Sequence, residues 1–497
     1  MRKLFFALSL ASLLFCVACG SHGGSFVGTG TFSNASLNGQ YVYQIGGTDL
    51  STGLPYREMG VFNANGSGVI TSGTDNFAEN GSVTTTSTSG TYSIANDGTG
   101  TIVLNGTVHL ALTLVSTSKV YLIEEDLANS TGVAEKQSST TLPSATFAFK
   151  LHNASIAGAG QSSSASVGVF TLSSGTVNGT EDVNRAGLIS GPLTFAGSFI
   201  APDSTGSGMG SFSDPTGTTN FFYSIVDANN IRLLTNFAGV VGLGRAEAQS
   251  GEPFTTDPLS GNSYAFGSRG DDGSLTGGIG GVNTVGSFTA NSGSITPGAF
   301  DSVLDGTSQP NASFTGSYTF SAAASNGRIP VTLNTAAPST VQQVFWMVSP
   351  SRAFFLTTSD TSDPGKVEDG TADRQQGAFS NSTLNGQYAF VMDGFDLNFP
   401  LPLIDRIDWI QWNGSGSLTW NELANNEGGL TQPGHLSGTY SVSGNGRATA
   451  TVNTLSHANN DMVLYLVSGT PTNTNAPDAY MLENDGGVEI NGEMSHQ

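Results

Sequence analysis

Phe32-Ser-Asn-Ala-Ser-Leu-Asn-Gly-Gln-Tyr41 returns as Phe379-Ser-Asn-Ser-Thr-Leu-Asn-Gly-Gln-Tyr388, changed only at its fourth and fifth positions. The copies lie 347 residues apart (Tyr41 to Tyr388), too far for one structural repeat, and weaker copies fall between them. Tyr41-Val-Tyr43 and Tyr388-Ala-Phe390 share an aromatic-x-aromatic signature with Phe147-Ala-Phe149 and Tyr264-Ala-Phe266, at steps of 106, 117 and 124 residues. Self-similarity at a near-constant spacing marks tandem units, here four. Further landmarks recur in constant order. Gly-x-aromatic stands at Gly90/Tyr92, Gly197/Phe199, Gly316/Tyr318 and Gly438/Tyr440. An earlier Gly-x-Phe stands at Gly60/Phe62, Gly168/Phe170 and Gly286/Phe288, where unit four has Asp408-Trp-Ile410 instead. A closing Gly-x-Ala-acid-x-Gln begins at Gly132, Gly244 and Gly370, and unit four is read as ending differently.

Within unit one, Gly39 to Gly46 alternates, with Tyr41, Tyr43 and Ile45 on one face, as a strand with one buried side does. Gly60-Val-Phe62 and Val69-Ile70 flank Asn65-Gly-Ser-Gly68, a hairpin turn whose Asn-Gly adopts positive φ at little cost. Gly90 to Ile94 and Thr101 to Leu104 flank Asn96-Asp-Gly98, and His109 to Val115 and Lys119 to Ile123 flank Ser116-Thr-Ser118. Gly132 to Gln137 closes the unit. The expected fold is all-β: four tandem antiparallel meanders of about eight strands each. Local hairpin order favours barrel-like modules, which leave no exposed edge, over β-sandwiches. The architecture resembles the up-and-down barrels of the lipocalin and avidin group, without any of their sequence motifs, so no ligand follows from the likeness. Ser/Thr/Pro/Gly-rich stretches place the modules at 32–140, 141–255, 256–377 and 378–497.

Composition agrees. Four modules suit 497 residues, and 66 Gly with 29 Phe and 12 Tyr describe a turn-rich chain with enough apolar matter for cores. The net charge of −22 repels nucleic acid and anionic lipid headgroups, so no nucleic-acid partner is expected. A membrane-spanning barrel is disfavoured, because the faces opposite the aromatics are mostly Ser, Thr, Asn and Gly rather than an apolar band.

The N-terminus carries an address. Arg2 and Lys3 precede an apolar run, Leu4 to Val17, too short to span a bilayer. It ends in Cys16-Val-Ala-Cys19-Gly20-Ser21. This resembles the lipobox of bacterial lipoproteins, with Cys16 where that family usually has Leu. The resemblance implies a signal peptide over residues 1–19, lipidation of Cys19, and membrane attachment through the lipid. Gly20 in place of Asp argues against inner-membrane retention, which points to the outer membrane or cell surface; ordinary secretion after Ala18 is the alternative. Cys16 and Cys19 are the only cysteines, so the mature chain has no intramolecular disulfide. Residues 20–31, rich in Gly and Ser, read as a flexible tether.

Catalytic spacing is absent. The six His form no metal-binding pair, no nucleophile elbow is present, and Gly277-Gly-Ile-Gly-Gly281 lacks the Lys-Ser/Thr of a phosphate loop. Gly-x-Asp follows the first strand at Asp49, Asp272 and Asp396; turn capping is the ordinary reading and a weak Ca²⁺ site the alternative. No other cofactor is expected. A second acid recurs at Asp75, Asp182 and Asp301. In unit four, alternation turns Trp409 outward beside Asp408 and Gln411, a candidate surface for a polysaccharide or an envelope protein. The functional expectation is a lipid-anchored cell-envelope protein with a non-catalytic binding or structural role. The alternatives are a secreted carbohydrate hydrolase, using Asp405 or Asp408 with Glu422, and a carrier holding a small apolar ligand inside one module.

Overall fold

The computed structural model describes residues 31–497 apart from 80–81, 127, 156–162, 236–238, 272–280, 323–324, 336–338, 397–402, 427–428, 433–434, 453–459, 469–476 and 486. Module 1 consists of Asn38–Asp49, Pro55–Asn65, Val69–Glu79, Ser82–Ile94, Thr99–Leu104, Val108–Leu114, Lys119–Glu124 and Ala128–Lys136. Each strand pairs with the next and the last with the first, making a closed antiparallel barrel. Modules 2 (145–248) and 3 (262–374) repeat this, and closure sets the sandwich aside. Module 4 (385–496) closes as well, because Asn385–Asp396 pairs with both Leu403–Asn413 and Val488–His496. Its third and fourth strands, however, are each broken, into Ser417–Trp420 and Leu423–Asn426, and into Gly429–Thr431 and Leu436–Val442.

The aromatic-x-aromatic residues fill the lumens. Tyr41 stacks on Phe62, Phe147 on Phe170 and Tyr264 on Phe288, with ring centroids 5.5, 5.5 and 5.4 Å apart. In module 4, Ile410 stands opposite Tyr388 as Phe62 stands opposite Tyr41. The repeated decamer is a plug for one barrel end. Asn34–Ser36 forms a single 3-10 turn that buries Leu37. Asn34 Oδ1 accepts from the Ile94 N–H, and the Tyr92 hydroxyl donates to the carbonyls of Asn34 and Leu37. Asn381, Val442, Tyr440 and Leu384 repeat the same bonds in module 4.

The outer walls are apolar where modules meet. Ala148, Val167 and Val169 of module 2 pack on Trp346, Phe354 and Leu356 of module 3. Ala265, Val285 and Val303 of module 3 pack on Tyr465, Tyr480 and Leu482 of module 4. Ala389, Val391 and Ile407 of module 4 pack on Ala111, Tyr121 and Ile123 of module 1. Met59 and Ala78 of module 1 pack on Leu234 and Val241 of module 2. In every case the first strands of one module meet the later strands of the next. Such head-to-tail contacts either propagate or close on themselves. Here they close, so the chain is a ring of four barrels.

A glutamine marks each junction. Gln137, Gln249 and Gln375 end the first three modules, and each side-chain amide donates to two carbonyls of the following module: Thr205 and Ile225, Asn326 and Met347, Asn445 and Leu466. Gln497 donates in the same way to Asp97 and Leu114 of module 1. Unit four ends differently in sequence, as read above, yet it keeps the junction. Gly492 and Gln497 keep the spacing of Gly132 and Gln137, while Met494 and Ser495 replace the Ala and the acid between them.

Charges reinforce the seams. Arg328 makes a two-pronged pair with Asp182 across the junction of modules 2 and 3, and the Trp346 indole N–H adds a third bond. Arg447, Asp301 and Tyr465 repeat that triad between modules 3 and 4. Asp75 does not belong with these acids. Asp182 and Asp301 stand opposite outward-facing Val167 and Val285, whereas Asp75 stands opposite inward-facing Gly60. The register differs by one residue, which turns the side chain to the other face of the wall. His152 of module 2 lies 2.7 Å from Asp369 and 3.7 Å from Asp271 of module 3, and Arg269 of module 3 pairs with Asp393 of module 4.

Candidate functional site at the closing seam

The junction of modules 4 and 1 departs most from the fourfold pattern. The fracture in module 4's third strand falls at Asn421 and Glu422, opposite Asp408 and Trp409 in the second strand. Asp408 has φ +148°, where a side-chain-bearing residue is strained. Beyond the fracture, Leu423–Asn426 and Gly429–Thr431 form a short hairpin. It makes one wall of a cavity of about 470 Å³ whose opposite wall is module 1. Thr99, Thr101, Ala111, Thr113 and Glu125 line it from module 1, and Ile407, Asp408, Leu423, Leu430 and Gln432 from module 4.

Asp408 is 3% exposed, and Asn421 donates to its Oδ2 at 2.7 Å. Its Oδ1 is buried without a hydrogen bond, and so is the Thr113 hydroxyl. Burial pushes the Asp408 carboxyl up to about 7, against the pull of the Asn421 amide and with a push from Asp97. Burial raises Glu125 too, helped by the charge of Asp126.

Trp409 points out of its barrel, as alternation requires, but it is not on the surface. It is 4% exposed, because the neighbouring module covers it: its indole N–H faces Asp97 Oδ2 at 3.4 Å and its ring packs on His435. The expectation of an exposed stacking Trp409 is thus corrected; only Gln411 of the three residues keeps partial exposure. Of the two acid pairs in the hydrolase alternative, the one that uses Asp405 is divided. Asp405 stands opposite Asp393 on the outer wall, where burial holds its carboxyl far above the usual range. Glu422 faces the lumen, accepting from the Trp420 indole at 3.0 Å with Arg406 at 3.9 Å. The barrel wall separates Asp405 from Glu422, whereas Asp408 lies within electrostatic reach of Glu422.

Asp49 accepts four bonds from the N–H and hydroxyl groups of Ser51 and Thr52, at 2.7 to 2.9 Å. Against its burial, these hold the carboxyl below its ordinary range. Asp396 is buried within electrostatic reach of Arg406 and Glu483. Cys19 and Asp272 lie outside the described residues. Among those described, no three His, Cys, Asp or Glu side chains are grouped to hold a metal ion.

Sequence reading missed an acidic cluster in the module 1 lumen. The Tyr43 and Tyr56 hydroxyls donate to Glu58 at 2.8 and 2.6 Å, and Ser130 donates to Glu124 at 3.2 Å. Asp75 completes the cluster, its carboxyl pushed up to about 9 by burial and by the charge of Glu58. The available signal was phase: Glu58 keeps step with Gly60 and Phe62, the inward face.

No protein-family model matches the chain, and no curated protein matches it. Solved structures do, at low similarity. Transferrin binding protein B from Haemophilus parasuis Hp5 is 8% identical, over 76% of this chain and 82% of that one, with a TM-score of 0.20. Intact Ap-TbpB, with its N and C lobes, is 7% identical over 96% of each chain, TM-score 0.20. The isotype 1 protein from serogroup B Neisseria meningitidis is 11% identical, over 76% and 83%, TM-score 0.18. Scores this low fall short of a shared overall arrangement and carry no argument about what this chain binds.

Proposed function

We propose that the chain is a lipid-anchored protein of the bacterial cell envelope, whose ring of barrels is a non-catalytic binding or structural element. The observation that carries the reading is how the modules use their interiors. Each lumen is packed with its own aromatic and aliphatic side chains. Three cavities among the described residues, of about 390, 480 and 470 Å³, lie at junctions between modules. These packed interiors and junction cavities support a reading in which binding uses the seams and the outer surface. The anchor reading rests on Cys19 and the Gly/Ser tether that precedes Phe32. No helix among the described residues is long and apolar enough to cross a membrane.

The test is metabolic labelling with an alkyne fatty acid. Wild-type chain should carry label and fractionate with membranes, while Cys19→Ala should lose both. Unlabelled wild-type protein in the culture medium would reject the anchor.

A further inference from the structure

We infer that the cavity between modules 4 and 1 is a binding site for a small amphipathic cation, an apolar body bearing a primary ammonium group that pairs with Asp408. This goes beyond the envelope role and does not depend on the lipid anchor.

Three independent observations converge on the cavity. The first is the wall itself. Module 4 alone breaks its third and fourth strands, and the hairpin freed by the breaks supplies Leu423 and Leu430 to the lining. Leu430 is 49% exposed, an apolar side chain left in contact with solvent beside the opening. The second is polar groups without partners. Asp408 Oδ1 and Thr113 Oγ1 are buried and unbonded, from residues 3% and 1% exposed, one on each side of the cavity. A buried polar atom left unpaired costs free energy that a bound donor would recover. The third is strain: Asp408 holds its unusual φ at the cavity wall, and strain of this kind concentrates at functional positions.

Charge selects the ligand. Among the described residues the lining contains Asp408 and Glu125 and no Lys or Arg, while Asp97 and Glu422 lie within electrostatic reach of Asp408. An anion would meet repulsion from both charged side chains of the lining. A neutral alcohol would satisfy the orphan oxygens without gaining the ion pair. An ammonium group gains both, and Ala111, Ile407, Leu423 and Leu430 receive its apolar body.

The test is isothermal titration calorimetry on the full chain with 2-phenylethylammonium, 2-phenylethanol and phenylacetate at pH 8. The ammonium should bind at one site per chain, at least tenfold more tightly than the alcohol, with phenylacetate not binding. Asp408→Asn should bring the ammonium down to the level of the alcohol. Leu430→Trp, which fills the cavity and leaves Asp408 in place, should abolish binding of both, and it decides the matter should the Asp408 variant fail to fold. Equal affinity for ammonium and alcohol, binding unaffected by Leu430→Trp, or no binding by any probe would overturn the inference.

Discussion

Replacing Gln497 by Ala removes two hydrogen bonds that module 4 gives to module 1, to the carbonyls of Asp97 at 3.3 Å and Leu114 at 2.6 Å. A net bond contributes about 1 kcal/mol, and stranding a buried carbonyl adds to the loss, so the closing seam should weaken by roughly 2–3 kcal/mol. The same arithmetic applies to Gln137, Gln249 and Gln375, which make the same pair of bonds at the other junctions. The informative experiment is therefore the set of four Gln→Ala variants. Each is unfolded in urea and followed by tryptophan fluorescence, with hydrogen exchange at Leu114 reporting the closing seam. Four comparable losses are expected, and Leu114, whose N–H bonds to the Gly98 carbonyl, should exchange faster only in the Gln497 variant. A Gln497 variant as stable as wild type, beside three destabilised siblings, would mean that the ends do not meet.

His152 makes a second prediction. Burial would lower its pKa, but hydrogen bonds and charge from Asp271 and Asp369 overcome this and raise it to about 9. Its folded pKa exceeds the ordinary 6.5, so its stabilisation is complete below pH ~6.5 and lost as the pH rises through ~9; at ~1.4 kcal/mol per unit it is worth up to ~3 kcal/mol. Unfolding free energies of wild type and His152→Ala should converge across that window, and parallel curves would contradict the pairing. Arg447→Ala should cost about 3–5 kcal/mol in urea unfolding, since it strands the fully buried Asp301; a loss below about 1 kcal/mol would show that the seam does not depend on the pair.

Much of the fold was legible because its determinants are local. Alternation around Tyr41 and Tyr43, Asn-Gly turns and Gly-x-aromatic landmarks each act within a hairpin, and they reported strands and register without the rest of the chain. The ring was not legible in the same way. Its contacts join residues hundreds of positions apart, such as Lys119 with Glu493 and Asn129 with Asn425. Even so, a trace existed. Strands buried on one face alternate, but Phe345-Trp-Met-Val348 and Ala353-Phe-Phe-Leu356 are apolar throughout, as strands covered on both faces are. Trp409 shows the matching limit: alternation gave its direction correctly, yet only the neighbouring module decides whether outward means exposed. Asp75 shows another, for a shift of one residue between modules moved it from the seam to the lumen while leaving the sequence landmarks intact.

The claim on which the rest depends is that four barrels close into a ring, and small-angle X-ray scattering of the chain without residues 1–30 tests it most directly. A compact chain of this length has a radius of gyration of about 23 Å by the scaling for folded domains, and four modules of about 13 Å each, set in a square, give the same value. The same modules strung in a row would give about 33 Å. A measured value near 23 Å is predicted, and one above about 30 Å would contradict the ring.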